Sequence, residues 1–473
     1  MTAQRIPLLI GGEWREARSF SLRCDPYRGD AVAEVPRCGR EEVDAALAAA
    51  SAAREAAAET PPAERAALLR RTADLVRDRS GMLAETMARE TGKAIADARR
   101  EIDRSVSTLD ISAEEAVRIA GEHVPMDSSP NGAGKLALLM RYPLGVVAAI
   151  TPFNAPVNLT CHKLGPAIAA GDTVVLKPSP ASSLTVHRLV ELFQEAGAPP
   201  GLINTVFGEE AGALLVEDAR ADFISFTGSS RVGALISRAA GLRRLALELG
   251  GNGFTILAED ADIDAAAAIC GANSMRLAGQ SCVSVQNIAV HESLARPFAE
   301  KLAAVVDTLK VGDPLAGDTD IGTLIDEAAA IRVDEAVARA VSGGAEGLRR
   351  GGRAGAQLAP SVLFAPAPEA PIVCEEIFGP AVSVVPYRDI EEPFAWVNRS
   401  RYGLQTGLFT QSLPLARRAM KTLRTGGLVV GGTSTWRADE MPYGGVGDSG
   451  IGREGPRYAI REMSEERLAI FNV

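Results

Sequence analysis

The chain has 473 residues, 47% of them hydrophobic and 23% charged, with a formal net charge of −10. That length predicts two or three domains in a water-soluble globular protein, and the acidic balance excludes nucleic acid as a partner, because phosphate binding wants a basic surface. No apolar run approaches the ~18 residues of a membrane span and Met1 to Trp14 lacks a leader pattern, so no membrane role and a cytoplasmic location are expected.

Six cysteines and four histidines are scattered without paired spacing. Neither a metal site nor a disulfide framework is indicated, and reduced thiols fit best. Ile6 to Phe20 reads as an edge hairpin. From Arg40 to Arg118 the sequence is alanine-rich and helical. It is broken at Thr60-Pro61-Pro62, which places Pro in a first helical turn, and again at Arg89 to Lys93. Gly121 to Lys135 is rich in Gly, Pro and Ser and marks an excursion. Short apolar runs then alternate with helices. Strands are expected at Gly145 to Ile150, Thr173 to Leu176, Ile203 to Val206 and Asp222 to Phe226. Helices fall between them at Val157 to Ala170, Ser183 to Ala196 and Glu210 to Glu217. This alternation predicts a parallel sheet with helices on both faces. A second such block runs from Phe254 to about Ser434, with a helix over Asp264 to Leu277, and the tail from Arg457 is helical, then strand-like.

Several segments carry chemistry. Ala278 to Ser284 sets Cys282 among small and polar neighbours, open to an incoming substrate and suited to a nucleophile wherever the surroundings favour the thiolate. A buried, inert thiol is the alternative at this stage. Leu245 to Asn252 puts one carboxylate, Glu248, in an apolar run ending at Gly250-Gly251. Asp222 to Gly233 is a strand, a Gly-Ser turn and a helix start, able to hold phosphate on backbone N–H groups or to be a plain cap. Lys177 closes a strand where parallel sheets face their ligands. Asn154, between Pro152 and Pro156, is placed either to meet an oxyanion or to form an Asx turn.

Together these segments resemble the aldehyde dehydrogenase superfamily. The resemblance is carried by Pro152-Phe153-Asn154, Lys177-Pro178-Ser179, Phe226-Thr227-Gly228-Ser229, Glu248-Leu249-Gly250-Gly251, Gly279-Gln280-Ser281-Cys282 and Glu375 to Pro380. Met441 to Gly445 and Ser449 to Glu454 complete it, in order along essentially the whole chain. It implies an α/β fold of two doubly wound parallel-sheet domains plus a small β oligomerisation extension. Residues 1–120 and 143–247 would form the dinucleotide domain, 248–456 the catalytic domain, and 121–142 with 457–473 the extension. The strand Leu136 to Met140 would add to a neighbour's sheet in a homodimer or homotetramer.

The resemblance further implies that Cys282 attacks an aldehyde to give a thiohemiacetal, whose oxyanion is held by Asn154 and the Cys282 N–H. Hydride then leaves to the nicotinamide, and Glu248 activates the water that hydrolyses the thioester, with Glu454 as a second acid. Ile150, Thr151, Pro152, Phe153, Gly228, Ser229 and Leu249 would contact the cofactor. Lys177 and Glu376 would hold ribose hydroxyls, Ser179 and Pro180 flank that position, Phe378 would sit beside the nicotinamide ribose, and Gly208 and Gly233 would admit the adenosine side. Many NAD-preferring relatives carry Glu where this chain has Pro180, so NAD is expected with NADP admitted. Within the superfamily, Asn158, His162-Lys163, Arg437-Ala438-Asp439 and Glu454 to Ile460 are similar to the lactaldehyde, non-phosphorylating glyceraldehyde-3-phosphate and phosphonoacetaldehyde dehydrogenases. Arg104 and His162 would supply a cationic clamp for an anionic aldehyde. Ser281 stands where several anion-handling relatives carry Arg, which favours a small hydroxylated or weakly anionic substrate. Two rivals remain. A CoA-acylating enzyme would use Cys282 but usually lacks the base, and a non-catalytic binding protein would be expected to lose Cys282, Asn154 or Glu248.

Overall fold

The apolar runs Val146–Ile150 and Thr173–Lys177 are buried along their entire length, which a strand achieves only when both faces of its sheet are covered. In the computed structural model, which describes residues 3–473, they lie inside a six-stranded sheet. Its order is Ile203–Thr205, Thr173–Lys177, Val146–Ile150, Phe223–Thr227, Arg244–Glu248, Gly450–Ile451. The first five strands are parallel and the last is antiparallel. Alternation along one strand divides two cores. Val147 and Ala149 pack with the helices Pro62–Asp78, Ile95–Ala116 and Pro156–Ala170, whereas Val146, Ala148 and Ile150 pack with Arg40–Glu59.

From Val146–Ile150 the chain first builds outward one way, through Thr173–Lys177 and Ile203–Thr205, then returns to build the other way through Phe223–Thr227. The strand order therefore reverses between Val146–Ile150 and Phe223–Thr227, and a crevice opens beyond their carboxyl ends, where such sheets bind ligands. Asn154 and Ser229 follow those two strands directly.

A second sheet has seven strands, ordered Glu346–Arg349, Ser361–Phe364, Ala381–Tyr387, Asn287–His291, Phe254–Leu257, Gln405–Phe409, Gly427–Val430. Only Glu346–Arg349 runs antiparallel. A third sheet joins Glu122–Val124, Lys135–Pro143 and Ser464–Asn472.

The expected elements form with four differences. The hairpin is confined to Leu8–Ile10 and Glu13–Arg15. The helix after Asp262 ends at Met275, because Leu277 and Ala278 take left-handed backbone at φ 56° and 51°. Gly450–Ile451 joins the first sheet although it lies far along the chain. Finally, the strand containing Leu136 to Met140 is the middle of its sheet, paired to Ser464–Asn472 on one side and Glu122–Val124 on the other. Ser464–Asn472 pairs along the full length of this strand, whereas Glu122–Val124 covers only Ala137 to Leu139 on the other side.

Candidate active site

Glu248 ends its strand at the crevice, and the Gly250-Gly251 turn carries the chain into the second sheet. A Cβ on Gly251 would stand 2.6 Å from the Cys282 carbonyl oxygen, so only glycine there lets the cysteine loop come so close to the end of the Glu248 strand. The loop itself is bent by three consecutive left-handed residues, Leu277, Ala278 and Gly279. It is pinned by Asp97, which accepts from the Leu277 N–H at 3.1 Å, and by the Gln280 side chain, which accepts from the Ile325 N–H at 2.9 Å. The bend turns Cys282 into the crevice, where it is half-buried.

One cleft is lined by Cys282, Glu248 and Asn154 together with Pro152, Phe153, Gly228, Ser229, Leu249, Glu376 and Phe378. Ser229 caps the helix Ser230–Ala239, whose positive dipole end therefore opens at the cleft. Phe378 holds left-handed backbone at φ 52° and meets Phe153 edge to face with ring centres 6.0 Å apart. Glu376 accepts from the Gly251 N–H at 3.0 Å; burial pushes its pKa up to about 7, against the pull of that N–H, Arg332 and Arg401.

Ile150 and Lys177 lie outside this lining, paired in register at the carboxyl ends of their strands. Thr151, Ser179, Pro180 and Gly208 follow strand ends on the same edge. Lys177 is buried, which lowers its pKa against the raising influence of Glu209. Ser179 caps a short 3-10 turn beginning at Pro180. Gly208 sits at φ 92° before the helix Glu209–Glu217. A Cβ on Gly233 would stand 2.5 Å from Leu249, so this glycine serves helix-to-strand packing.

The Cys282 sulfur lies 3.2 Å from the Tyr443 hydroxyl. Burial and then Glu248 raise the thiol pKa well above its ordinary value, with Tyr443 and Arg437 opposing. The protein alone thus favours the protonated thiol. Burial and Glu454 raise Glu248 to about 8, and its Oε1 is buried without a partner. Such a carboxyl takes a proton readily and suits a general base. Glu454 goes the other way: burial would raise it, but Lys163 and Arg437 outweigh that and hold it ionised. The Asn154 amide donates to the Gln280 carbonyl at 3.0 Å, which ties the strand-end turn to the cysteine loop.

His162 does not carry the charge expected of it. His162 is buried, and burial with the nearby Arg437 lowers its pKa, so the imidazole is neutral at physiological pH and cannot be half of a cationic pair. Its Nε2 lies 3.1 Å from Asp439. Arg104 donates to the same carboxylate at 2.6 Å. Arg437 lies 3.1 Å from Glu454 and 3.2 Å from His162, with its guanidinium over the Tyr443 ring at 3.8 Å. Ser281 is half-buried beside the cysteine and donates no charge. Sequence reasoning gave Tyr443 and Arg437 no role, although both lie in motifs that carried the resemblance. Arg332, which also lines the cleft, had no local signal: it comes from a helix of the second sheet's layer.

An adenine dinucleotide fits this crevice: a helix N-terminus opens onto it, a buried carboxylate stands at Glu376, and an unpartnered carboxylate oxygen lies beside the thiol. Among the described residues no cluster could hold a metal ion, and no helix is long and apolar enough to cross a membrane.

Comparison with known proteins agrees with this geometry. Residues 14–468 match the model of the aldehyde dehydrogenase family. The 3-sulfolactaldehyde dehydrogenase of Priestia megaterium is 44% identical over 469 residues, covering 98% of each chain. The lactaldehyde dehydrogenase of Methanococcus vannielii is 34% identical, covering 98% of this chain and 100% of its own. The crystal structure of NADP-dependent glyceraldehyde-3-phosphate dehydrogenase from Bacillus halodurans, complexed with NADP, superposes with a TM-score of 0.97 at 34% identity, covering 99% of both chains. The chain belongs to the aldehyde dehydrogenase family.

Proposed function

We propose that this protein oxidises a small hydroxylated or anionic aldehyde to its carboxylic acid, using NAD or NADP. The observation that carries the reading is the convergence of Cys282, Asn154 and Glu248 in one cleft with Ser229, Glu376 and Phe378. Cys282 gives its proton to Glu248 as sulfur bonds to the aldehyde carbon, and the resulting oxyanion is met by the Asn154 amide. When bound, the cofactor accepts the hydride that leaves this carbon. Once that first proton has passed to solvent, Glu248 takes a proton from the water that hydrolyses the thioester. A base beside the thiol favours hydrolysis over transfer to CoA, and the retention of Cys282, Asn154 and Glu248 favours catalysis over binding alone.

The substrate class rests on two arginines and on relatives named for sulfolactaldehyde, lactaldehyde and sulfoacetaldehyde. Arg437 is buried against the ring of Tyr443, whose hydroxyl touches the Cys282 sulfur, and Arg104 is half-exposed on Asp439; these two are the cations this reading assigns to the substrate's anionic group. Purified enzyme should reduce NAD or NADP with 3-sulfolactaldehyde or lactaldehyde at a kcat/KM at least about thirtyfold above propanal, the size of one lost charge-assisted hydrogen bond. Equal values would remove the anion reading. Arg104→Ala should raise KM for the anionic aldehyde about tenfold while leaving that for propanal unchanged. His162→Ala should affect both substrates alike, because a neutral buried imidazole offers no charge to discriminate them.

The subunits assemble through the third sheet. Its edge strand Ser464–Asn472 exposes Leu468, Ile470 and Phe471, an apolar edge of the kind that pairs with another copy. Phe471→Glu should lower the mass seen by light scattering, and an unchanged oligomer would place the interface elsewhere.

A further inference from the structure

Tyr443 is buried, yet among the described residues its hydroxyl meets the nucleophile and no other side chain. A buried phenol normally spends its O–H on a fixed acceptor, because leaving it unpaired costs free energy. Here its partner is the nucleophilic sulfur, which ionises during the reaction. The ring is also fixed: Arg437 covers its face, and Glu454 and His162 in turn hold Arg437. Burial and the negative charge of Cys282 and Glu248 keep the phenol protonated, so it remains a donor throughout.

We propose that Tyr443 is a catalytic residue, donating its hydroxyl proton in a hydrogen bond to the Cys282 sulfur and stabilising the thiolate that attacks the aldehyde. The proton lost by sulfur goes to Glu248. Tyr443 keeps its own proton, and the hydrogen bond weakens as the electron pair moves into the new C–S bond. Arg437 acts through Tyr443 as a positioning residue, fixing the ring and countering the charge that builds on sulfur. The hydroxyl offsets part of the opposition to ionisation that burial and Glu248 impose, which no other group in direct contact with the sulfur does. This assignment rests on Cys282 being the nucleophile, and the two fail separately. Iodoacetamide that alkylates Cys282 without abolishing turnover would remove the nucleophile itself.

The test is the pH dependence of Cys282 alkylation by iodoacetamide in the full-length enzyme, followed by mass spectrometry of the modified peptide. Tyr443→Phe deletes only the hydroxyl and leaves the ring for Arg437. Alkylation of this variant near pH 8 should be about tenfold slower, with the titration midpoint higher by about 1 pH unit, the scale of one hydrogen bond to a charged atom. The burst of reduced cofactor in the first turnover should slow by a similar factor. Incorporating 3-fluorotyrosine at 443 supplies a more acidic donor of nearly the same size and should move the midpoint down. Superimposable profiles for wild type and Tyr443→Phe overturn the proposal. Should the Phe variant fail to fold, the fluorotyrosine enzyme decides by itself, and an unmoved midpoint there overturns it equally. A role confined to packing would shift neither profile.

Discussion

An enzyme carrying Glu248→Gln should release one equivalent of reduced cofactor per active site and then stall. Gln keeps the size of the side chain and its polar contacts, so attack by Cys282 and loss of hydride persist at reduced rate, aided by the Asn154 amide. Hydrolysis of the thioester needs a group that takes a proton from water, and an amide cannot. The expected fall in steady-state turnover is about 10²–10⁴-fold, the usual contribution of a positioned general base. Mass spectrometry of the stalled enzyme should find the acyl group on Cys282. Multiple turnovers at near wild-type rate would show that another residue activates the water.

The pH dependence follows from the same carboxyl. Burial and Glu454 raise Glu248 to about 8, so at neutral pH most of it carries a proton and cannot act as a base. Raising the pH removes that proton, and hydrolysis-limited turnover should climb with a midpoint near pH 8 and level about one unit above it. Glu454 stays ionised across this range because Lys163 and Arg437 outweigh its burial. Replacing Lys163 or Arg437 with a neutral residue removes a cation that opposes the rise at Glu248, and should move the turnover midpoint upward.

The second large effect is on the cysteine loop. Gly279 has φ 71°, and a Cβ there would lie 2.0 Å from the Gly379 carbonyl oxygen. The atoms it would meet, in Gly379 and Pro380, are all backbone, with no flexible side chain to swing aside. Left-handed strain and a backbone clash together should cost about 3 kcal/mol or more in Gly279→Ala. The loop can relieve the clash only by moving away from Gly379, and Cys282 lies three residues on. The variant should therefore melt lower and also lose the burst with aldehyde. Gly241, also at positive φ but with nothing near its missing Cβ, is the control: Ala there meets only the backbone term, and activity should persist. A Gly279→Ala enzyme with normal melting and normal burst would mean the loop need not be held where it is.

Cys282 and Glu248 were legible because each stands in a short run with a local physical signature. The cysteine sits among residues too small to cover it, and the carboxylate ends an apolar strand at a Gly-Gly turn. The charge state of His162 was not legible. Arg104 and His162 both lie on helices near the right place, but charge at a histidine depends on what surrounds it. Here burial and Arg437 remove that charge, and no spacing along the chain encodes the contact. Tyr443 was hidden for a related reason: 161 residues separate it from the sulfur it touches. The central position of the strand Lys135–Pro143 was likewise invisible, since its partner Ser464–Asn472 lies at the other end of the sequence.

The sequence by itself determined the two parallel sheets, through apolar runs at regular spacing, and the order in which nucleophile, amide and carboxylate occur. These are properties of local pattern, and local pattern survives without knowledge of the fold. Only the tertiary structure decided which groups carry charge: a protonated thiol, a raised Glu248, an ionised Glu454, a neutral His162. Protonation is set by solvent exclusion and by neighbours within a few ångströms, and in this protein those neighbours come from segments hundreds of residues apart.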